Sequence, residues 1–240
     1  MRPSVLVIPG GGYEMTSDRE AEPIAMQFLT AGFNASVLRY SVKPSVFPVA
    51  LLEAADAMKM IREHAAEWHV DPEAIAVIGF SAGGHLAANL ATSASDDVLA
   101  AHGYDPDAVR PNGLMLAYPV ITSGPLAHRG SFDSLLGERR NDTETLESVS
   151  IEHHIDTKTP PVFVWHTVPD EVVPYENTLM LIDACKKAGV SVEAHLFPQG
   201  GHGLSLGIAE TAWQGIDGIE PSMQIWTQLA VAWMRRTFAR

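Results

Sequence analysis

The chain contains 240 residues, of which 46% are hydrophobic, and this length is sufficient for one large core. Acidic residues outnumber basic residues by 29 to 16, which produces a formal net charge of −13. Because such a surface repels phosphate groups, we expect no nucleic-acid partner and no binding to anionic membranes.

The cysteine content and the N-terminal sequence indicate the compartment. The chain has one cysteine, Cys185, which cannot form an intrachain disulfide, and this is typical of a reducing environment. The apolar run near the N-terminus is too short for the hydrophobic region of a signal peptide, and no apolar run reaches the length of a transmembrane helix. We therefore expect a cytoplasmic protein.

Short apolar segments alternate with amphipathic segments along the chain. The apolar segments predict strands at residues 4–9, 34–40, 74–80, 113–120, 161–167 and 191–197. Helical spacing of apolar residues predicts helices at residues 23–31, 47–68, 82 to about 93, 175–188 and 221–238. Residues 121–159 form a polar excursion, in which we expect one short helix near residues 143–149 and loose packing over the functional site.

The alternation of strands and helices defines the expected fold class. Continuously apolar strands are typical of a parallel sheet that helices cover on both faces. Right-handed crossovers then place the carboxyl ends of the strands at one edge of the sheet, where ligands bind. We predict a single α/β domain over residues 1–240, with a mostly parallel sheet of about six strands and no large cap.

Residues 79–83, Gly-Phe-Ser-Ala-Gly, match the pattern G-x-S-x-G. An apolar strand precedes them and a helical pattern follows at once, which is the context in which this serine acts as a nucleophile. The small neighbours allow the tight turn that exposes the serine Oγ above the sheet. We therefore predict that Ser81 is a nucleophile. Without a base, it would be an ordinary serine in a glycine-rich turn.

A serine nucleophile needs a base and a group that orients the base. His202 follows the last predicted strand in a glycine-rich loop and is the best placed of the ten histidines. Asp170 and Glu171 both lie on the loop after the fifth strand, and one of them can orient His202. We favour Asp170, because the order Ser81, Asp170, His202 matches the chain order nucleophile, acid, base in which a G-x-S-x-G serine and its two partners occur.

If the serine attacks an acyl carbon, the carbonyl oxygen becomes negative in the intermediate, and the site also needs hydrogen-bond donors for that oxygen. The backbone N–H of Ala82 is one candidate, and Gly11 and Gly12 after the first strand are two others. The glycine run lacks the spacing and the lysine of a phosphate-binding loop. The adjacent His153 and His154 have no spaced third ligand, so we expect no metal site.

Six motifs carry a resemblance to a known family. They lie at residues 9–13, 19–23, 38–41, 79–85, 165–174 and 200–203. On these motifs the sequence resembles the α/β-hydrolase superfamily and, within it, small bacterial esterases related to hormone-sensitive lipase that include acetylxylan and acetyl esterases. The resemblance covers nearly the whole chain and implies the same residues for the triad and for the oxyanion donors.

Two features depart from the pattern of these relatives. Pro9 stands where many of them have a histidine before the glycines, which points to the acetyl-esterase branch. The relatives usually have two strands upstream of the glycine loop, so residues 34–40 should lie at the edge of the sheet. An uncovered apolar edge promotes aggregation, and we therefore expect a homodimer or a local bulge to cover it.

The resemblance implies a serine carboxylic-ester hydrolase that needs no cofactor. The polar excursion suggests a short acyl group, acetyl above all, with a sugar alcohol such as an acetylated xylo-oligosaccharide. Tyr13, Tyr118 and Trp165 are expected to form apolar walls for this substrate. The alternatives are an aminoacyl peptidase or an arylformamidase with the same triad, and a non-catalytic ligand-binding protein on the same fold.

Overall fold

A computed structural model describes residues 1–213 and 218–239 and contains one six-stranded sheet. Its strands are β1 (Arg2–Ile8), β2 (Asn34–Val37), β3 (Val70–Phe80), β4 (Gly113–Ala117), β5 (Val162–Thr167) and β6 (Val192–Phe197). They lie in the order β2-β1-β3-β4-β5-β6, and every neighbouring pair is parallel. The predicted parallel α/β sheet of about six strands is confirmed.

The connections between the strands are mostly helical. The α-helices are α1 (Glu22–Thr30), α2 (Val49–Glu63), α3 (Ala82–Ala91), α4 (Asp96–Ala101), α5 (Pro106–Val109), α6 (Arg129–Leu136), α7 (Thr143–Ser148), α8 (Glu176–Ala188) and α9 (Trp226–Thr237). Single 3₁₀ turns lie at Asp18–Glu20, Ser93–Ser95, Gly137–Arg139, Ile151–His153 and Ala209–Thr211. Within the described ranges, no helix combines the length and the apolar character that crossing a bilayer requires.

Buried apolar side chains cover both faces of the sheet. On β1, Leu6 and Ile8 face a core that includes residues of α2, α3 and α8, whereas Val5 and Val7 face a core that includes residues of α1 and α9. Successive side chains of a strand point to opposite faces, so a strand that is covered on both sides must be apolar throughout. This explains why continuous apolar runs located the strands.

Several predicted boundaries are wrong where tertiary contacts override the local pattern. β2 ends at Val37, α2 ends at Glu63, and α9 begins at Trp226, five residues after the predicted start. β3 begins at Val70 because that residue pairs with Arg2 of β1. The register between the two strands is irregular at this end, so Pro72 can lie in the strand although it has no N–H to donate.

Residues 121–159 do not form the loosely packed excursion that the sequence suggested. The predicted short helix is present as α7, but α6 precedes it and was not predicted. Phe132, Leu136 and Ile151 are almost completely buried and belong to the same core as α2 and α3. Most residues of this segment are polar, so the sequence pattern does not reveal its few apolar side chains. These side chains pack into the core and hold the segment against the sheet.

The strand β2 lies at the edge of the sheet, as predicted. It has four residues, and each of them is only partly buried. A short edge strand offers few unpaired backbone groups to another chain. The homodimer stays a prediction, as does the single domain over residues 1–240.

Candidate active site

Ser81 occupies a sharp turn between β3 and α3. Its backbone has φ 52° and ψ −119°, a strained conformation for a residue with a side chain. Its N–H donates to the carbonyl of Ala117 over 3.0 Å, and its carbonyl accepts from the N–H of Val120 over 3.1 Å. These bonds to the end of β4 hold the turn, and the side chain therefore stands at the carboxyl edge of the sheet.

Gly83 allows α3 to approach the end of β1. A Cβ atom on Gly83 would lie 2.2 Å from the carbonyl oxygen of Pro9 and 2.4 Å from that of Ile8. Any side chain at this position would push the helix away from β1. The glycine therefore brings Ser81 next to the turn formed by Gly11 and Gly12.

Three side chains that are distant in sequence form one hydrogen-bonded chain. Ser81 Oγ lies 2.8 Å from His202 Nε2, and His202 Nδ1 lies 2.7 Å from Asp170 Oδ2. Because a carboxylate only accepts, Nδ1 carries the hydrogen, and Nε2 is free to accept the proton of the serine. This geometry is suited to general-base activation of a hydroxyl group. The structure thus brings the three sequence-predicted residues together.

The carboxylate of Asp170 is fully engaged. Its Oδ1 accepts the N–H groups of Val172 and Val173, each over 2.9 Å. Its Oδ2 accepts from His202 and also from His166 Nε2, at 3.2 Å. Burial acts to raise the pKa of Asp170, but the hydrogen bonds from His166 and His202 outweigh it and hold the pKa well below its usual value. The group therefore stays an anion in mildly acidic solution.

His166 is a neighbour of the triad that the sequence reasoning missed. It is completely buried on β5, where Nδ1 lies 2.8 Å from Thr178 Oγ1 and Nε2 lies 3.0 Å from the carbonyl of Val173. Its position four residues before Asp170 was the available signal, but a buried strand residue can point to either face. Glu171, the alternative acid, is exposed, so Asp170 is the carboxylate that meets His202.

The glycine turn presents free donors beside Ser81. Gly11 and Gly12 have φ 129° and 65°, and neither N–H donates to another described residue. A Cβ on Gly11 would lie 2.2 Å from the carbonyl oxygen of Met15, so this position requires glycine. Ala82 is the first residue of α3, where an N–H has no intrahelical partner and the helix dipole favours negative charge. The predicted oxyanion donors are thus unpaired groups.

The three aromatic residues expected to form substrate walls do not form an open surface. Tyr13 is 3% exposed, and Tyr118 and Trp165 are completely buried. Trp165 stacks on Trp226 of α9 at 5.3 Å between ring centroids, and Tyr118 packs edge-on against Trp165 at 5.0 Å. The expectation is therefore corrected: Tyr118 and Trp165 belong to the core that α9 covers, and Tyr13 packs into the core on the opposite face of the sheet, against Tyr40 and His85.

His85 connects α3 to the glycine turn and to residues 121–159. Its Nε2 donates to the carbonyl of Val149 over 2.8 Å, so Nδ1 accepts from the hydroxyl of Tyr13, also over 2.8 Å. Tyr13 directly follows Gly12 and has φ 58°. Burial lowers the pKa of His85 to about 4, although the bond to Val149 opposes this shift. His85 is therefore neutral at pH 7.

The buried neutral His85 should make stability depend on pH. The unfolded chain gains a proton on this histidine below pH 6.5 and the folded chain only near pH 4, so stability is lost as pH falls through this window. Between pH 7 and pH 5 the loss is about 2 kcal/mol. In urea unfolding, the stability advantage of the wild type over His85→Gln should shrink by that amount. An equal pH slope in wild type and His85→Gln would contradict the assignment.

A second histidine, His128, lies near the triad at the start of α6. Its ring is half-buried, and Nδ1 lies 2.8 Å from the hydroxyl of Ser131. Burial lowers the pKa of His128, and the charge on His202 lowers it further, whereas Asp170 and Glu14 oppose the shift. A neutral imidazole with one nitrogen uncommitted can donate to or accept from a polar ligand.

This fold and this constellation define an α/β-hydrolase, and comparison with known proteins identifies the family. The profile of the BD-FAE family matches residues 1–184. The chain therefore belongs to the BD-FAE family, and its relatives include proteins named as esterases.

Solved structures and curated sequences agree with this family. The acetyl ester-xyloside bifunctional hydrolase from Caldicellulosiruptor lactoaceticus has a TM-score of 0.86 and 37% identity, covering 98% of this chain and 83% of its own. Endo-1,4-beta-xylanase B from Butyrivibrio fibrisolvens is 36% identical over 89% of this chain and 34% of its own length. Acetylxylan esterase from Xylanibacter ruminicola is 27% identical over 85% and 41%, respectively. The chain thus spans well under half the length of these two curated relatives.

Proposed function

We propose that the protein is a serine carboxylic-ester hydrolase that removes short acyl groups, acetyl above all, from a carbohydrate alcohol such as a xylo-oligosaccharide. The hydrogen-bonded chain of Ser81, His202 and Asp170 beside unpaired backbone donors carries this proposal. The substrate class is supported by relatives whose names refer to acetylxylan and to an acetyl ester-xyloside.

In the proposed mechanism, Ser81 Oγ attacks the ester carbonyl carbon while its proton passes to Nε2 of His202. The new C–O bond turns the carbonyl oxygen into an anion, which accepts the N–H groups of Gly11, Gly12 and Ala82. The intermediate then loses the alcohol, which takes the proton from His202 as its bond to carbon breaks. Water repeats the cycle on the acyl-enzyme and releases the acid, so only protein groups and water take part.

The carboxylate of Asp170 stabilises the cation that His202 becomes during each half-reaction. Because the pKa of Asp170 lies below its usual range, this acid stays charged where histidines begin to take up protons. The lowered pKa of Asp170 therefore keeps the orienting carboxylate available to the base in mildly acidic solution.

Residues 121–159 favour a small acyl group and a polar alcohol. Their apolar anchors are buried in the core with α2 and α3, which leaves few apolar side chains to line a long acyl groove. The half-buried His128 contributes a neutral polar group near the triad. A sugar hydroxyl next to the leaving oxygen suits such a group better than an alkyl chain does.

Turnover of p-nitrophenyl esters from acetyl to octanoyl tests the proposed acyl preference. We expect kcat/KM to fall about tenfold or more across the series, because each added methylene must fit a short acyl site. Release of acetate from acetylated xylo-oligosaccharides should be measured in parallel. Higher kcat/KM for octanoyl esters would contradict the short acyl site, and faster turnover of aminoacyl anilides than of esters would favour the peptidase alternative.

A further inference from the structure

Glu20 is a buried carboxylate outside the triad. It lies in the motif at residues 19–23 and is only 3% exposed. Its Oε2 accepts the N–H of Gly10 over 2.9 Å, and its Oε1 accepts the hydroxyl of Tyr118 over 2.6 Å. Burying a carboxylate is costly unless donors satisfy its oxygens, and here one oxygen binds the glycine turn and the other binds the end of β4.

On one side, Glu20 fixes the start of the glycine turn. A Cβ on Gly10 would lie 2.8 Å from Glu20 Oε2 and 3.0 Å from Ser81 Cβ, so the backbone of Gly10 is packed between the two side chains. The N–H of Gly10 already donates to Glu20 and is not available to a substrate. Among the described residues, the N–H groups of the following Gly11 and Gly12 have no acceptor and stay available to a substrate.

On the other side, Glu20 holds Tyr118, whose ring packs against the imidazole of His202. Tyr118 accepts the N–H of Ser205 over 3.0 Å, so its own hydrogen must go to Glu20. The ring of Tyr118 meets the ring of His202 edge-on, with 5.0 Å between centroids. The burial of Tyr118 and the charge of Glu20 raise the pKa of this hydroxyl well above its usual value, which keeps it a donor.

Arg19 reinforces the same loop from the adjacent position. Its Nη2 donates to the carbonyl of Gly203 over 2.7 Å, and its Nε donates to the carbonyl of Thr211 over 2.5 Å. Its backbone carbonyl accepts the hydroxyl of Ser205 over 2.5 Å. The loop that carries His202 is thus tied to residues 19 and 20, which are also tied to the glycine turn.

We propose that Glu20 is a positioning residue. It holds the oxyanion turn in place beside Ser81 through Gly10, and it holds His202 in place beside Ser81 through Tyr118. This inference rests on the proposed esterase function. Displacement of either partner by a fraction of an ångström would leave the substrate bound but misaligned with the donors or with the base.

The test is Glu20→Gln, because glutamine keeps the shape but offers one acceptor oxygen to two donors. We expect kcat for p-nitrophenyl acetate to fall about 10- to 100-fold while KM stays within about threefold. The inhibition constant of phenylboronic acid, whose adduct on Ser81 resembles the tetrahedral intermediate, should rise by the same factor as kcat falls. Glu22→Gln, two residues further on at an exposed position, is the matched control and should behave as wild type.

Tyr118→Phe removes the hydroxyl that donates to Glu20 and so breaks the same hydrogen-bond network. This variant serves as the test if Glu20→Gln does not fold. It should lower kcat by a similar factor, and the double variant should lose little more than either single one, because both act on one network. Full kcat in Glu20→Gln, or fully additive losses, would overturn the inference. If the wild type itself turned over no ester and Ser81 did not react with a fluorophosphonate, the esterase proposal would fail instead.

Discussion

Replacement of Ser81 by alanine is expected to lower kcat for p-nitrophenyl acetate by about 10⁴- to 10⁶-fold. Without Oγ no acyl-enzyme can form, and His202 loses the hydroxyl whose proton it would accept. Any residual rate would come from direct attack of water on the ester carbonyl carbon, with the backbone donors still stabilising the anion on the carbonyl oxygen. Steady-state kinetics measure this loss, and labelling by a fluorophosphonate should vanish in parallel.

The control for this variant is another serine whose loss leaves the site intact. Ser148 ends α7 at an exposed position, and its Oγ donates to the carbonyl of Thr145 in the same helix. Ser148→Ala should keep full activity and full labelling. If Ser81→Ala kept more than about a tenth of the wild-type rate, Ser81 would not be the nucleophile. A non-catalytic ligand-binding role would then be favoured for the site around Ser81.

Replacement of Asp170 by asparagine is expected to lower kcat by about 10³- to 10⁴-fold. The aspartate accepts four N–H groups, two from histidine rings and two from the backbone. Asparagine has one acceptor oxygen, so its NH₂ must face one of these pairs. Turned toward His202, it would force the hydrogen of the imidazole onto Nε2, which could then no longer accept the proton of Ser81.

Glu171→Gln is the matched control, since it makes the same chemical change at the neighbouring exposed carboxylate. We expect its kcat and KM to equal those of the wild type. Circular dichroism should show that Asp170→Asn is folded, because the substitution keeps the volume of the side chain. A larger loss in Glu171→Gln than in Asp170→Asn would reverse the assignment of the orienting acid.

The sequence by itself determined the sheet and the local geometry around Ser81. Continuous apolar runs predict strands that are buried on both faces, and all six were found. The glycines at positions 79 and 83 and the strand-to-helix switch predict a tight turn at Ser81, because such a turn leaves no room for side chains. These features depend on residues that are close in the chain, where spacing and size alone carry the information.

Only the tertiary structure decided which distant groups meet. It brought Asp170, and not Glu171, to His202, and it placed His166 on the same carboxylate. It also buried Glu20 between the glycine turn and Tyr118, and it packed the polar residues 121–159 into the core through a few apolar anchors. The contacts of Asp170 with His202 and of Glu20 with Tyr118 join elements that lie far apart in sequence, and even the nearby His166 meets Asp170 only through the turn that follows β5. The direction of a single side chain at a strand end or in a loop is set by its packing partners, and local pattern does not encode them.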